Sequence, residues 1–265
     1  MKKRRFRVGI FDSGIGGLTV LNECVRRVPY AEYFYFGDNH RAPYGSRSEE
    51  EIALFARGAL LRFQRLKVDV AVIACNTATA VAAEELRKVF PFPVLGMEPA
   101  IKPAANVCKK VLLLATERTT ESAKFKMLLG RFPDCAVQVA PCKYLAGAIE
   151  KYLTEGELFL LSAHLPQGKF DGVVLGCTHY SFFASQISAH YSAPVFDGNE
   201  GVAKRLERVL EKIALGRGDH ISPTENSNNC FNFCTKKRII FVGKSKKINK
   251  SLYFRTYVSK KDKSK

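Results

Sequence analysis

The sequence predicts an α/β protein of two pseudo-symmetric domains, with mostly parallel sheets and an active site in the cleft between them. Two stretches of the chain support this prediction. Residues 70–74 form an apolar run that ends at Cys75, and residues 172–176 form another that ends at Cys177. A helical pattern follows each cysteine. In open α/β sheets, strands that end in this way deliver residues to the edge where ligands bind.

The spacing of the two halves is the third observation. Asp12 ends an apolar run 63 positions before Cys75, and Ala115 ends a similar run 62 positions before Cys177. Such similar spacing indicates an internal repeat, with one thiol on either side of the cleft. A single buried cysteine is more often inert, so the second copy is what favours a functional interpretation. The predicted units are a first domain of residues 1–98 plus about 197–218, a second domain of residues 99–196, and a tail of residues 219–265.

Strands and helices are predicted to alternate along both halves, which is the order expected of a parallel sheet. The glycines after Asp12 predict a tight strand-to-helix turn, although they do not match the dinucleotide-binding fingerprint. Ser48, with Glu51 three positions later, predicts the start of a helix. The predicted strands are residues 8–11, 32–36, 70–74, 92–96, 111–116, 136–140, 172–176 and 193–197. The predicted helices are residues 18–27, 48–64, 78–88, 119–129, 144–152 and 198–215, with another after Cys177.

The C-terminal tail differs in composition from the rest of the chain. From residue 219 onward 12 lysines and arginines face 3 acids, so this segment carries about half of the net charge of +17. Residues 222–229 have the composition of a linker, while residues 239–242 and 253–257 could form short strands. We expect this tail to lie outside the two domains and to be dispensable for folding and activity.

The overall composition is that of an ordinary globular protein, with 46% hydrophobic and 25% charged residues. No apolar run is long enough to cross a membrane, and the run near the N-terminus is too short for a signal peptide. We therefore expect a cytoplasmic protein without membrane partners. The eight cysteines include no Cys-x-x-Cys pair and no zinc spacing, which predicts reduced thiols and no metal site.

Five short motifs occur in order along the chain. They are DSGIGG at residues 12–17, PYG at 43–45, ACNTA at 74–78, EP at 98–99 and GCTHY at 176–180. With these motifs, residues 6–215 resemble the glutamate racemases of the aspartate/glutamate racemase superfamily. The resemblance implies two α/β domains and interconversion of L- and D-glutamate without a cofactor, which supplies D-glutamate for peptidoglycan. We also expect a homodimer. The tail does not match the family's usual ending.

The resemblance also implies the roles of individual residues. Cys75 and Cys177 would be the two acid/base groups, with Asp12 assisting the first thiol, and His179 and Glu150 the second. Glu150 lacks the proline that usually precedes it in the family. A thiol has a pKa of about 8.5, close enough to neutrality for neighbouring groups to tune. The residues expected to hold the amino acid are Asp12, Ser13, Tyr44, Gly45, Asn76, Thr77, Thr178 and His179.

Other functions remain open at this point. An aspartate racemase, or a racemase of another amino acid in the same superfamily, is the first alternative, although Thr-His rather than Thr-Glu after Cys177 favours the glutamate branch. A thiol hydrolase needs only one nucleophilic cysteine, so the second thiol argues against it. Nucleic acid could bind through the basic tail, although the body of the chain has no recognition motif. Thr77 and Thr178 could serve only as helix caps. No lysine has a setting suited to pyridoxal phosphate, so we expect no cofactor.

Overall fold

Two parallel sheets form the framework of this computed structural model, which describes residues 5–217 and 238–258. The strands are β1 (Arg7–Asp12), β2 (Glu32–Gly37), β3 (Val70–Ile73), β4 (Val94–Gly96), β5 (Lys110–Ala115), β6 (Ala136–Pro141), β7 (Gly172–Gly176), β8 (Val195–Asp197) and β9 (Ile239–Phe241). The first sheet has the order β4-β3-β1-β2-β9, and the second has the order β6-β5-β7-β8. Every strand pairing is parallel. The predicted α/β fold class is confirmed.

Helices flank both sheets, and most of them lie where they were predicted. They are α1 (Gly17–Arg27), α2 (Glu49–Arg65), α3 (Asn76–Val89), α4 (Ile101–Ala105), α5 (Glu117–Glu121), α6 (Ala123–Leu129), α7 (Leu145–Glu155), α8 (Ala184–Tyr191), α9 (Asn199–Gly216) and α10 (Lys246–Tyr253). Short 3-10 turns occur at Asn39–Arg41, Tyr44–Ser46, Leu161–His164 and Tyr180–Phe183. Ser48 forms the predicted capping box with Glu51 at the start of α2.

One predicted helix is wrong in detail. The stretch 119–129 is two helices, α5 and α6, which meet at Ser122. Ser122 has an extended backbone, and its hydroxyl accepts a hydrogen bond from the Phe125 N–H at 3.2 Å. The serine thus caps a new helix instead of continuing the old one, because its side chain competes with the helical backbone for hydrogen bonds.

The first sheet is covered on both faces, as expected for parallel strands. Alternate residues of β3 point to opposite sides. Val70 and Val72 pack with α1 and α9, whereas Ala71 and Ile73 pack with α2 and α3. Helix α9 therefore returns to the first sheet after the chain has completed the second. The boundaries of the two predicted domains stay a prediction.

The C-terminal segment, defined here as residues 238–258, completes the first sheet. Strand β9 pairs with β2, so the strand predicted at 239–242 is confirmed. The strand predicted at 253–257 is wrong, because Tyr253 ends α10 and a π-helical turn follows it. Asn249, Leu252 and Tyr253 are the buried residues of α10, and their spacing is helical rather than alternating. The expectation of a tail outside the fold is thus wrong for these residues, while the linker-like stretch 222–229 lies outside the described ones.

The second sheet has its own core on each face. Leu112, Leu114 and Leu175 pack with α7 and α8, and Leu113 and Val174 pack with α4 and α6 on the opposite face. Strands β5 and β7 are central and are the best-buried strands of this sheet. Cys177 follows β7 at this edge, as Cys75 follows β3 at the equivalent edge of the first sheet.

Candidate active site

Cys75 lies between the end of β3 and the start of α3, where it is 5% exposed. Its Sγ caps the helix by accepting a hydrogen bond from the Ala78 N–H at 3.4 Å. Burial raises the pKa of Cys75 to about 12, and the nearby charge of Asp12 adds to the increase. The Ala78 N–H and the Ser13 hydroxyl act in the opposite direction. This thiol therefore holds its proton at neutral pH.

Asp12 ends β1 and is fully buried beside Cys75. Its Oδ2 accepts a hydrogen bond from the Gly14 N–H at 3.0 Å. Its Oδ1 accepts one from the Thr178 hydroxyl at 3.2 Å, and this bond joins the edges of the two sheets. Burial raises the pKa of Asp12, and the charge of His179 offsets only part of that effect. The carboxyl group is therefore an acid/base group whose proton affinity is above that of an ordinary aspartate.

Cys177 belongs to a chain of three side chains in the second half. The Cys177 Sγ lies 3.8 Å from His179 Nδ1, and His179 Nε2 lies 2.5 Å from Glu150 Oε2. Burial alone would lower the pKa of His179. The hydrogen bonds to Cys177 and Glu150, together with the charge of Glu150, outweigh burial and raise that pKa well above its usual value. Cys177 thus has an imidazole as its neighbour where Cys75 has a carboxyl group, so the two sides of the site differ chemically.

Glu150 reaches His179 from the middle of α7, and the first half of the chain contributes two further donors. The Ile15 N–H donates to Oε2 at 3.2 Å, and the Asn39 side-chain amide donates to Oε1 at 2.6 Å. The turn after β1 comes so close that a Cβ atom on Gly14 would lie 2.5 Å from Oε2. The absence of the usual proline before Glu150 has not displaced it from the site.

The two thiols share one site. Both are buried, and the charge of Cys177 contributes to raising the pKa of Cys75. A Cβ atom on Gly16 would lie 2.2 Å from Thr178 Oγ1 and 2.7 Å from His179 Nδ1, which shows how closely the glycine turn approaches the second half. The internal repeat thus brings the two sheet edges face to face.

Most of the predicted binding residues already have side-chain hydrogen bonds within the protein. Tyr44 donates its hydroxyl hydrogen to Asp38 Oδ2 at 2.7 Å. Ser13 and Asn76 are buried, and the Asn76 Oδ1 has no hydrogen-bond partner among the described residues. A buried amide oxygen without a donor is costly, which marks it as a position where a ligand could supply one. Gly45 lies in the turn Tyr44–Ser46, and a Cβ atom on it would lie 3.0 Å from the Cβ of Thr116, the residue after β5.

Thr116 and Thr119, for which the sequence predicts no role, lie at this edge beside Thr77. Thr77 Oγ1 is 3.0 Å from Thr116 Oγ1 and 3.3 Å from Thr119 Oγ1. Cys75 rather than Thr77 caps α3, so the capping alternative does not describe Thr77. Thr116 had a signal in the sequence, because it follows Ala115 at the end of β5 just as Ser13 follows Asp12. Asn39 had none, because its partner Glu150 is 111 positions away.

Within residues 5–217 and 238–258, no group of three or more histidine, cysteine, aspartate or glutamate side chains is placed to hold a metal ion. In the same residues, no helix combines the length and apolar character that crossing a bilayer requires. The chemistry available at the sheet edges is that of two thiols, each with its own titratable neighbours, and backbone N–H groups at helix starts. Such a site can take a proton from one side of a small substrate and return one from the other.

Known proteins resemble this chain over most of its length. Residues 13–206 match the Asp/Glu/Hydantoin racemase family. A glutamate racemase of Clostridium acetobutylicum is 37% identical over 218 residues, which cover 78% of this chain and 85% of the relative. Glutamate racemase 2 of Bacillus subtilis is 37% identical over 234 residues, which cover 80% and 85%. The crystal structure of Escherichia coli glutamate racemase with L-glutamate and the activator UDP-MurNAc-Ala superposes with a TM-score of 0.73 at 28% identity, covering 90% of this chain and 98% of that one.

Proposed function

Because the chain belongs to the Asp/Glu/hydantoin racemase family and is therefore an amino-acid racemase, we propose that it interconverts L- and D-glutamate. The proposed reaction moves a proton at Cα between two thiols and uses no cofactor. The observation that carries this proposal is the pair Cys75 and Cys177, each at the carboxyl end of a strand from a different sheet. The Asp12–Thr178 hydrogen bond holds these edges together.

On one side of the substrate, Cys177 is the acid/base group. Its thiolate takes the Cα proton of one enantiomer, and in the reverse direction its thiol returns a proton. His179 stabilises the thiolate through Nδ1, while Glu150 balances the charge of the imidazolium through Nε2. This arrangement resembles other cysteine–histidine pairs, in which a cation lowers the cost of forming the thiolate.

On the other side, Cys75 performs the same task with a carboxyl group as its helper. The raised pKa of Cys75 keeps this thiol protonated, so that it can act as the acid. For it to act as the base, its proton has to move, and the buried Asp12 carboxyl is the neighbouring acceptor. The ammonium group of a bound amino acid would bring positive charge to this region and favour the thiolate.

The remaining polar groups suit an amino-acid substrate. The unpaired Asn76 Oδ1 can accept a hydrogen bond from an α-ammonium group. Backbone N–H groups near Ser13 and at the start of α3 can donate to the α-carboxylate, on which negative charge develops as the proton leaves. We propose Tyr44, Gly45, Thr77 and Thr178 as further substrate contacts.

The cellular role follows from the proposed product. D-Glutamate would supply peptidoglycan synthesis, and we propose that the protein works in the cytoplasm, where thiols stay reduced. We also propose a homodimer, which light scattering of the purified protein would test. Relatives named glutamate racemases, and a structure of one of them with L-glutamate, support the substrate.

The decisive experiment is a racemisation assay with each enantiomer of glutamate and aspartate and with no cofactor added. We expect activity on glutamate to exceed activity on aspartate. Preference for aspartate would assign the chain to the alternative activity, and no activity on either would reject the proposal. In deuterium oxide, product formed early should carry deuterium at Cα, while the remaining substrate stays protonated, because each enantiomer meets a different thiol.

Cys75→Ser and Cys177→Ser test the two thiols separately. Each should lower racemisation by orders of magnitude, because a hydroxyl group is a poor proton acceptor at neutral pH. Cys108→Ser is the matched control, since Cys108 is buried on the far face of the second sheet and its replacement keeps a donor for the Asp171 carbonyl. A Cys177→Ser protein with near-parental racemisation would reject the two-thiol mechanism.

A further inference from the structure

Asn39 contacts the catalytic groups through a single short hydrogen bond. Its Nδ2 lies 2.6 Å from Glu150 Oε1, while the other carboxylate oxygen, Oε2, lies 2.5 Å from His179 Nε2. Each oxygen of Glu150 is therefore held from a different direction. Because α7 carries Glu150 and the turn after β2 carries Asn39, this bond joins elements on the two sheets.

The orientation of the Asn39 amide is unambiguous on chemical grounds. Only the NH₂ group can donate to a carboxylate, and a flipped amide would set its oxygen against Glu150 Oε1. The Asn39 Oδ1 is buried and has no hydrogen-bond partner among the described residues. An unpaired buried oxygen has a cost, and the charge-assisted bond on the other side of the same amide compensates for it.

The turn that carries Asn39 is fixed by its neighbour. Asp38 accepts a hydrogen bond from the Tyr44 hydroxyl at 2.7 Å and forms an ion pair with Arg41 Nε at 2.7 Å. The Asp38 N–H donates to the Asp12 carbonyl at 3.0 Å, which ties the turn to the end of β1. Asn39 is thus presented from a rigid support, which is what a residue that orients another requires.

Without Asn39, the Glu150 Oε1 would lose its donor in a place where little water reaches, since the Glu150 side chain is only 12% exposed. The carboxylate could then rotate away from His179. His179 Nδ1 already stands 3.8 Å from the Cys177 Sγ, so a small movement of the ring would break that contact.

We propose that Asn39 is a positioning residue for the Cys177 side of the site, where its amide holds Glu150 against His179. The inference rests on the proposed function, because it assigns Cys177 one direction of proton transfer. It assigns Asn39 no contact with the substrate. The Cys75 side has a separate helper in Asp12, so removing Asn39 should damage one side and spare the other.

The test separates the two sides with a glutamate analogue that carries a leaving group at Cβ. Elimination from such an analogue needs only the base on one side of Cα. Cys75→Ser and Cys177→Ser first identify which enantiomer depends on which thiol. Asn39→Leu should then slow elimination from the enantiomer that depends on Cys177 by about ten- to a hundred-fold, the effect of losing a hydrogen bond to a charged group. Elimination from the other enantiomer should stay at the parental rate.

Two further variants sharpen the result. Asn39→Asp sets a second carboxylate against Glu150, so it should be slower than Asn39→Leu at high pH. As the pH falls, its rate relative to the parent should recover, because a protonated carboxyl group is again a donor. His40→Ala is the matched control, since His40 is exposed in the same turn. Equal losses on both enantiomers, or no loss on either, would overturn the proposal.

A measurement without turnover keeps the two proposals distinguishable. In the free full-length protein, the ring signals of His179 can be followed by NMR during a pH titration and assigned with a His179→Asn variant. Asn39→Leu should lower the pKa of His179, because the Glu150 carboxylate that raises this pKa would no longer be held against the ring. His40→Ala should leave the pKa of His179 unchanged. A parent protein inactive on glutamate would reject the proposed function. An unchanged His179 pKa in Asn39→Leu would reject the role of Asn39 whatever the substrate.

Discussion

Replacing Phe241 with alanine tests whether the C-terminal segment belongs to the core of the first sheet. Phe241 is 8% exposed on β9, and its ring packs edge-on against Tyr35 at 5.8 Å and beside Tyr253 at 6.0 Å. A phenylalanine cut to alanine in a core costs about 3–5 kcal/mol. Because β9 is a short edge strand, we expect a value near the lower end, about 3 kcal/mol.

Ile240→Ala provides the matched control, because Ile240 lies next to Phe241 on β9 but points outward and is 38% exposed. Its loss should cost less than about 1 kcal/mol. Urea unfolding followed by tyrosine fluorescence suits this chain, which has ten tyrosines and no tryptophan. The midpoint for Phe241→Ala should fall by roughly 1–2 M more than that for Ile240→Ala. Equal midpoints would refute the assignment of β9 to the core.

Two further predictions concern the catalytic edge. Burial raises the pKa of Cys75 from 9.0 to about 12, so the folded protein holds this proton more tightly than the unfolded chain does. The resulting contribution to the free energy of unfolding is complete below pH 9. It is lost as the pH rises toward 12. Urea unfolding at several alkaline pH values should show a loss of up to about 1.4 kcal/mol per pH unit that Cys75→Ser lacks; equal slopes would contradict it. Gly16→Ala should lower racemisation at least about ten-fold, because the new Cβ would meet Thr178 and His179. Gly58→Ala is the control: no atom lies within 4 Å of the new Cβ, so this change should stabilise α2 by about 0.4–1 kcal/mol. Parental racemisation by the Gly16→Ala protein would show that the turn can move aside.

Much of the fold could be predicted because it depends on local patterns. An apolar run of four or five residues that stops before a helix indicates a buried parallel strand, and both cysteine strands are of this kind. Strand β9 was also found from its apolar residues. The pairing of β9 with β2 was not predicted, because pairing across some two hundred residues leaves no mark in either segment.

The site divides in the same way. Motif residues such as Asp12 and His179 lie next to a strand end, so their arrival at the sheet edge follows from the strand. The contact between Asn39 and Glu150 depends on how one domain sits on the other, and nothing near either residue specifies it. The break at Ser122 shows that a local pattern can also mislead. The sequence on both sides of Ser122 is typical of a helix, yet the capping hydrogen bond of its hydroxyl group divides the stretch into two helices.

The different surroundings of the two thiols have a consequence for the kinetics. In the proposed mechanism Cys75 works beside a carboxyl group and Cys177 beside an imidazole, so the two half-reactions would pass through chemically unlike states. The substrate and product of a racemase, however, are mirror images with the same free energy in water. The ratio kcat/KM must therefore be identical in both directions, whatever happens to either thiol. A higher kcat in one direction therefore requires a proportionately higher KM in that direction. At low substrate concentration, the two enantiomers are converted at the same rate even though the two halves of the site differ.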